Sequence, residues 1–289
     1  MKLQIVDRDR GDTKRYASIG SCIYCTKTDV RLTDEHIVPY GLSGNGVIFE
    51  AASCMDCAKI TSGIERIVLK NCLGDFRART DAPTRRRRNR PRIRSIDLLR
   101  IDKETGNPVG IAATITLPVE EFPRSFIMPN LPLPRLLFDF AQTNTASTRN
   151  SPFYDPEEMD AFFAKYVPKP FPGEGVALKL GDVNPNAFMR MVAKIAHAFA
   201  IGELGPDQFI PFLPDLILGR TQNLDDFIGC DSEAMLDVAS ITDLRLGCYV
   251  GKEEYVVVGF SLWPSTNAPH YIVVVGVKNS SDMIAPERR

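Results

Sequence analysis

Four cysteines in the first 60 residues have the spacing of a metal site. They form two Cys-x2-Cys pairs, Cys22/Cys25 and Cys54/Cys57, separated by 28 residues. Two such pairs can place four thiolates around one Zn²⁺ ion, with Zn–S distances near ~2.3 Å. A redox motif does not need a second copy, and four cysteines packed as small apolar residues would not explain the spacing. We therefore predict a structural zinc ion, which would supply on the order of 10 kcal/mol of folding free energy.

An acidic residue directly precedes a histidine between the two cysteine pairs. The pair is Glu35-His36, and His36 is the only one of the three histidines near the cysteines. A neutral imidazole can take a proton from water, and its charge changes near about pH 6.5. A neighbouring carboxylate can bind a divalent metal that carries a scissile phosphate. The alternative interpretation is a packing or surface histidine without a chemical role.

The segment around these residues predicts the order strand, turn, strand, helix. The first strand ends near residues 36–38, the turn covers 39–46, and the apolar residues from Val47 begin the second strand. A helix begins around the second cysteine pair and continues through Leu69. Its spacing places Ile60, Ile64 and Ile67 on one face of the helix.

This arrangement resembles the HNH endonuclease family over about residues 18–70, roughly a quarter of the chain. The resemblance is carried by Cys22, Cys25, Glu35-His36-Ile37-Val38-Pro39, Gly41, Gly44, Cys54 and Cys57. It implies a ββα-metal finger in which His36 is the general base. Glu35 would then help to hold a catalytic Mg²⁺ or Mn²⁺ ion, separate from the structural zinc.

One departure from the family pattern follows the last cysteine. The family often has Asn or His there as a second ligand of the catalytic metal, whereas this chain has Ala58. Four residues could replace that ligand: Asn45, Asp56, Thr61 and Glu65. We favour Glu65 as the functional acid on the finger helix. The alternative is a catalytically degenerate finger in a zinc-dependent DNA-binding or regulatory protein.

The net charge of −1 conceals an asymmetry along the chain. Residues 1–100 contain 20 Lys+Arg and 12 Asp+Glu, whereas the remainder contains 15 and 24. Nine arginines lie between residues 77 and 94, which predicts an extended segment that binds DNA phosphates, and RNA is not excluded. The candidate contacts are Arg85, Arg86, Arg87, Arg88, Arg90 and Arg92. The alternative is a basic linker that docks on the acidic C-terminal part.

Composition divides the chain into a finger (1–76), an arginine segment (77–94) and an α+β domain (95–289). Within the last part we predict strands at 96–101, 110–117, 245–259 and 271–278, and helices from Asp155 to about Val167 and from Asn184 to Gly205. The later strands predict an antiparallel C-terminal sheet. This domain would contribute specificity, dimerisation or regulation.

Composition also excludes several classes of protein. The hydrophobic fraction of 44% excludes a disordered chain, and seven cysteines do not make a disulfide scaffold. Without an apolar run of about 18 residues or an apolar leader, we predict a cytoplasmic protein and no membrane partner. The sequence thus predicts a metal-dependent DNA endonuclease, with a role in defence as an expectation from the family. A double-strand break would require a homodimer or two nicks.

Overall fold

The chain folds as a mixed α+β protein with several β-sheets. The computed structural model describes residues 2–6 (backbone only), 13–85, 88, 90–137, 149–169, 172–231, 244–251, 254–263 and 268–279. Among the helices in these ranges, none combines the length and the apolar character needed to cross a bilayer.

The N-terminal part contains the predicted order of strand, connection, strand and helix. Strand β3 pairs antiparallel with β4, and β2 pairs parallel with the other side of β4. A short helix, α1, lies in the connection that was predicted as a turn. The bounds are β1 Lys2–Val6, β2 Lys14–Tyr16, β3 Leu32–His36, α1 Tyr40–Ser43, β4 Val47–Cys54 and α2 Met55–Ile67. A π-helical turn (Val68–Cys72) and α3 (Gly74–Arg79) follow.

The buried face of α2 differs from the predicted isoleucine stripe. Ile64 is buried, but Ile60 and Ile67 are each 38% exposed. The buried face instead contains Cys57, Thr61 and Ile64. Cys57 faces inward as a member of the four-cysteine cluster, so the buried face follows positions 57, 61 and 64 rather than all three isoleucines.

A six-stranded sheet forms the largest layer of the C-terminal part. Its strands run in the order β1-β12-β13-β14-β10, and β11 also pairs with β14. The late strands are antiparallel, as predicted, although the predicted strand at 245–259 falls on two separate strands, β12 and β13. The bounds are β10 Phe209–Pro211, β11 Ile228–Asp231, β12 Leu244–Val250, β13 Tyr255–Leu262 and β14 His270–Lys278.

The predicted long helix, α5 (Pro185–Leu204), is central to the fold. Asn184 caps its first turn by accepting a hydrogen bond from the Ala187 amide (2.9 Å), and Gly205 follows its end. It contacts α2 on one side and the six-stranded sheet on the other. Because both sides are covered, α5 is buried on nearly all faces from residue 187 to 201. Shorter helices α6 (Pro214–Leu218) and α7 (Leu224–Phe227) come next along the chain.

Two smaller sheets complete the described chain. The predicted strands at 96–101 and 110–117 belong to β5 and β6, which pair antiparallel, and β9 pairs with β5. Asp155 caps the predicted helix α4 by accepting a hydrogen bond from the Glu158 amide. The bounds are β5 Ile93–Asp102, β6 Pro108–Pro118, β7 Ser125–Asn130, β8 Arg149–Tyr154, α4 Pro156–Tyr166 and β9 Glu174–Leu178, and β7 pairs with β8. Single 3₁₀ turns occur at Val119–Glu121 and Arg135–Leu137.

The main core is continuous across the boundaries that composition predicts. One cluster of buried side chains joins residues 22–76 of the N-terminal part to α5 and to the strands of the six-stranded sheet. A second, smaller core joins Ala78 to β5 and α4. The predicted domain boundaries stay a prediction, but the core does not separate the cysteine-containing region from the rest.

His197 on α5 is a buried, neutral histidine. Its Nε2 donates a hydrogen bond to the Ile23 carbonyl oxygen (2.7 Å), and its Nδ1 has no partner within the described chain. Burial lowers its pKa to about 4, which the hydrogen bond only partly offsets. The unfolded chain binds a proton to this residue near about pH 6.5, well above the folded pKa, so acid favours unfolding between these values.

We expect His197→Gln to reduce the loss of stability in acid. Between pH 7 and pH 5, the parent should lose about 2 kcal/mol more unfolding free energy than the variant, since only the parent gains a proton on unfolding there. Urea denaturation of both zinc-loaded proteins at the two pH values measures this difference. Groups that titrate in both proteins cancel in the comparison, so equal losses would contradict the assignment.

Candidate metal centre and cleft

The four cysteines of the predicted zinc site come together in the structure. All four sulfur atoms lie within 4.8 Å of one another, and Cys25 Sγ is 3.6 Å from Cys54 Sγ. A tetrahedral site with Zn–S bonds of ~2.3 Å requires S···S separations of about 3.8 Å, so the donors suit such an ion. The cluster could therefore bind a metal such as zinc.

Local structure explains how the sulfurs converge. Cys22 and Cys25 lie in the turn before β3, Cys54 is the last residue of β4, and Cys57 is in the first turn of α2. The Cys54 amide donates a hydrogen bond to Cys22 Sγ (3.4 Å), which ties the two pairs together. Burial raises the pKa of the Cys22 and Cys57 thiols. A bound cation would therefore displace protons from these thiols.

A separate cleft of about 920 Å³ brings together the predicted catalytic residues. It lies between β3, α1, α2 and the segment after α3, and its lining includes Glu35, His36, Glu65 and Arg85. None of the four cysteines lines it. The metal centre therefore supports the elements that form the cleft, while the cleft itself holds the residues that were predicted to do chemistry.

His36 is held in a defined orientation at the end of β3. Its Nε2 lies 3.2 Å from Asn45 Oδ1, and because that oxygen only accepts, Nε2 carries the proton and Nδ1 can accept one. The Tyr40 ring packs edge-on against the imidazole at 5.7 Å, and the Arg85 guanidinium lies over Tyr40 at 5.3 Å. Asn45, predicted only as an alternative metal ligand, therefore orients the histidine.

Burial and the nearby cations favour the neutral form of the His36 imidazole. Burial lowers the pKa of His36, the Asn45 hydrogen bond opposes this, and the nearby cations Lys194 and Arg85 lower it further. A histidine with a lowered pKa is unprotonated at neutral pH and can accept a proton. These are the properties that a general base requires.

Lys194 on α5 is a site residue that sequence reasoning missed. Its Nζ lies 2.6 Å from Glu35 Oε1 and 2.8 Å from Glu65 Oε1, and its side chain is 1% exposed. It also donates hydrogen bonds to the carbonyl oxygens of His36 and Ile37. No local pattern could have indicated it, because Lys194 is separated from His36 by 158 positions and is embedded in an apolar helix.

The charge states of buried Lys194 and Glu35 follow from their contacts with each other and with partly buried Glu65. Burial alone would lower the pKa of Lys194, but the two carboxylates outweigh it and raise the pKa above its ordinary value. Burial also raises the pKa of Glu35, and the Lys194 ammonium only partly offsets this. Lys194 therefore keeps its proton, and Glu35 is the group that would accept a further one.

Comparison with known proteins adds no relative to this geometry. Neither family models, nor curated proteins, nor solved structures gave a match to the chain. Function must therefore be inferred from the chemistry of the cleft and its surroundings.

The residues around the cleft do not fit the predicted divalent ion on Glu35. Its carboxylate is buried and already paired with Lys194, and Glu65 is bound to the same ammonium. Ala58 lines the cleft but offers no side-chain ligand atom, and the Thr61 hydroxyl donates to the Ala58 carbonyl. Asp34 and Asp56 also line the cleft, but among the described residues only the four cysteines form a cluster of three or more side chains that could hold an ion.

The arginine segment is more structured than predicted. Arg77 and Arg79 belong to α3 and Arg94 to β5, so the segment is not extended throughout. Arg90 pairs with Asp81 and donates to the Ala82 carbonyl, so its guanidinium is already bound within the protein and is not free to contact a phosphate. Among the predicted contacts, Arg85, Arg88 and Arg92 are exposed, and Arg86 and Arg87 lie outside the described residues.

Arg77 is a partly buried arginine of this segment that binds backbone oxygens. Its guanidinium donates hydrogen bonds to the carbonyl oxygens of Gly41 (2.8 Å), Leu69 (3.0 Å) and Pro83 (3.2 Å). A Cβ at position 41 would lie 2.7 Å from the Arg77 side chain, which explains the glycine there. Arg77 therefore joins the α1 connection to the segment after α3 and shapes the wall of the cleft.

Proposed function

We propose that the chain is an HNH-type endonuclease that hydrolyses phosphodiester bonds in the cleft at His36. The observation that carries the proposal is the oriented, neutral imidazole of His36 in a cleft of about 920 Å³. The strand, connection, strand and helix around it, with four converging cysteines, agree with what the family resemblance implies. Zinc at those cysteines would be structural.

The proposed chemistry needs one water molecule. His36 Nδ1 takes a proton from the water molecule. The water oxygen forms a bond to phosphorus, and the bond between phosphorus and the leaving oxygen breaks. The leaving oxygen then takes up a proton to give the second product. The expected Mg²⁺ or Mn²⁺ ion has no step in this scheme, because Lys194 already occupies the carboxylates of Glu35 and Glu65.

The proposed substrate is DNA. Arg85 lines the cleft, and Arg88 and Arg92 are exposed on the segment that follows. Such arginines bind phosphates without reading sequence, so RNA would present the same attraction. One cleft cuts one strand, and a double-strand break would need a homodimer or two successive nicks.

A second candidate function is zinc-dependent nucleic-acid binding without cleavage. Two observations favour it: Ala58 lacks a ligand atom, and the buried carboxylates hold a lysine. In this case the exposed arginines would bind DNA or RNA, and His36 would only be packed against Tyr40 and Asn45.

The two functions differ in the expected result of His36→Ala. If His36 is the general base, the variant should nick supercoiled plasmid about 10²- to 10⁴-fold more slowly than the parent, with binding unchanged. The assay compares both proteins at low salt, with Mg²⁺, with Mn²⁺ and with EDTA, on DNA and on single-stranded RNA.

His270→Ala provides the matched control for this assay. It removes an imidazole outside the cleft, where His270 contacts Ser261. The control should nick as fast as the parent, and zinc content and circular dichroism should be the same in all three proteins. Plasmid retardation without nicking by the parent would favour the binding function, and equal nicking by His36→Ala would exclude His36 as the base.

A further inference from the structure

Lys194 lies in a coordination shell of four oxygen atoms. Two belong to the carboxylates of Glu35 and Glu65, at 2.6 and 2.8 Å from Nζ, and two are the carbonyl oxygens of His36 and Ile37. Carboxylate and carbonyl oxygens are the ligands that Mg²⁺ and other hard divalent cations prefer. The ammonium therefore lies against Glu35, where the family resemblance implies a divalent metal.

The lysine is not a surface side chain that could move aside for an ion. Its side chain is 1% exposed and starts from the middle of α5, the helix packed between α2 and the six-stranded sheet. A divalent ion at the same oxygens would bring two further positive charges beside a buried ammonium. Occupation by Lys194 and by a metal are therefore alternatives.

We propose that the Lys194 ammonium replaces the divalent cation, so that the His36 cleft acts without a catalytic metal. This inference rests on the proposed nuclease function. Lys194 does not line the cleft, so it is a positioning residue. It offsets the charge of Glu35 and Glu65 and fixes the backbone at His36 and Ile37, while Arg85 meets the charge of the phosphate. Water supplies the new oxygen, and the reaction needs no other reactant.

The first test is cleavage by the full-length, zinc-loaded protein in EDTA. Zinc content is measured after the assay, so that loss of the structural ion is not mistaken for loss of a catalytic one. We expect the rates in EDTA and in Mg²⁺ to agree within about threefold. A larger loss in EDTA, with zinc retained and activity still dependent on His36, overturns the inference but leaves the proposed function standing. Cleavage in no condition overturns both.

The second test measures Mn²⁺ binding by electron paramagnetic resonance, in the absence of substrate. The zinc-loaded parent should bind no Mn²⁺ in the cleft. Lys194→Ala, which frees all four oxygens, should bind one Mn²⁺ ion and should melt at a higher temperature when Mn²⁺ is present. Lys59→Ala, which removes a lysine that lines the cleft but is not bound to Glu35 or Glu65, should gain no site.

Two results would contradict the replacement of a metal by Lys194. One is a Mn²⁺ ion bound by the parent and lost in Glu35→Gln. The other is a folded Lys194→Ala protein that binds no Mn²⁺. The titration of the parent decides the question even if Lys194→Ala does not fold. If Lys194 had only a structural role, Lys194→Ala would not create a Mn²⁺ site. Gain of such a site therefore distinguishes replacement of a metal from a purely structural role.

Discussion

Removal of metal from the four-cysteine centre is expected to unfold the N-terminal part of the protein. Cys22 and Cys25 lie in a turn, Cys54 ends β4 and Cys57 lies in the first turn of α2, so one bound ion would hold three segments of the chain together. A structural zinc contributes on the order of 10 kcal/mol to the folding of such a region. Cys54→Ser should therefore lose the metal and the protection of residues 20–60 from hydrogen exchange.

The measurement combines zinc analysis with hydrogen exchange and thermal unfolding. The parent should contain one zinc ion per chain, and a strong chelator should reproduce the effect of Cys54→Ser. Cys72→Ser is the matched control, because Cys72 is equally buried but donates only to the Ile127 carbonyl oxygen. It should keep its zinc. A parent without zinc, or Cys54→Ser with full zinc and unchanged protection, would refute the assignment.

The second large effect is expected from Lys194→Met. This change leaves buried Glu35 and partly buried Glu65 without the ammonium that they share, and removal of one partner of a buried ion pair costs about 3 to 5 kcal/mol. Urea denaturation without added divalent metal should show this loss. Lys165→Met, which breaks an exposed pair with Glu121, should change the unfolding free energy by less than about 1 kcal/mol.

A double variant tests whether the loss comes from unpaired charge. Lys194→Met combined with Glu35→Gln removes one of the two carboxylates, so it should recover part of the stability lost in Lys194→Met. If the double variant is no more stable than the single one, the cost of Lys194→Met arises from packing of the long side chain instead.

Elements with local signals were predictable from the sequence. Asn184-Pro185 and Asp155-Pro156 are N-cap and first-turn residues, and each helix begins where they indicate. The apolar runs in β13 and β14 mark buried strands because both faces of that part of the sheet are covered. The convergence of the four cysteines was also predictable, because the Cys-x2-Cys spacing within each pair is a local signal.

Contacts between distant parts of the chain were not predictable in this way. His36 and Glu35 were recognisable as candidates, but the lysine that binds Glu35 comes from α5, far along the sequence. The exposed or paired state of each arginine depends on similar long-range partners, such as Glu158 for Arg79. A single sequence contains residue types and spacings but not the partners that tertiary packing selects.

Strand β1, near the N-terminus, pairs with a strand that is synthesised more than 200 residues later. Residues 2–6 form β1, which lies antiparallel to β12 at residues 244–248. During synthesis at about 5 to 20 residues per second, β1 must wait roughly 10 to 50 s for its partner to be translated. The four cysteines leave the ribosome early in that interval, so the metal centre can close long before the six-stranded sheet does. Assembly in the cell would therefore begin around the four cysteines and end with the six-stranded sheet.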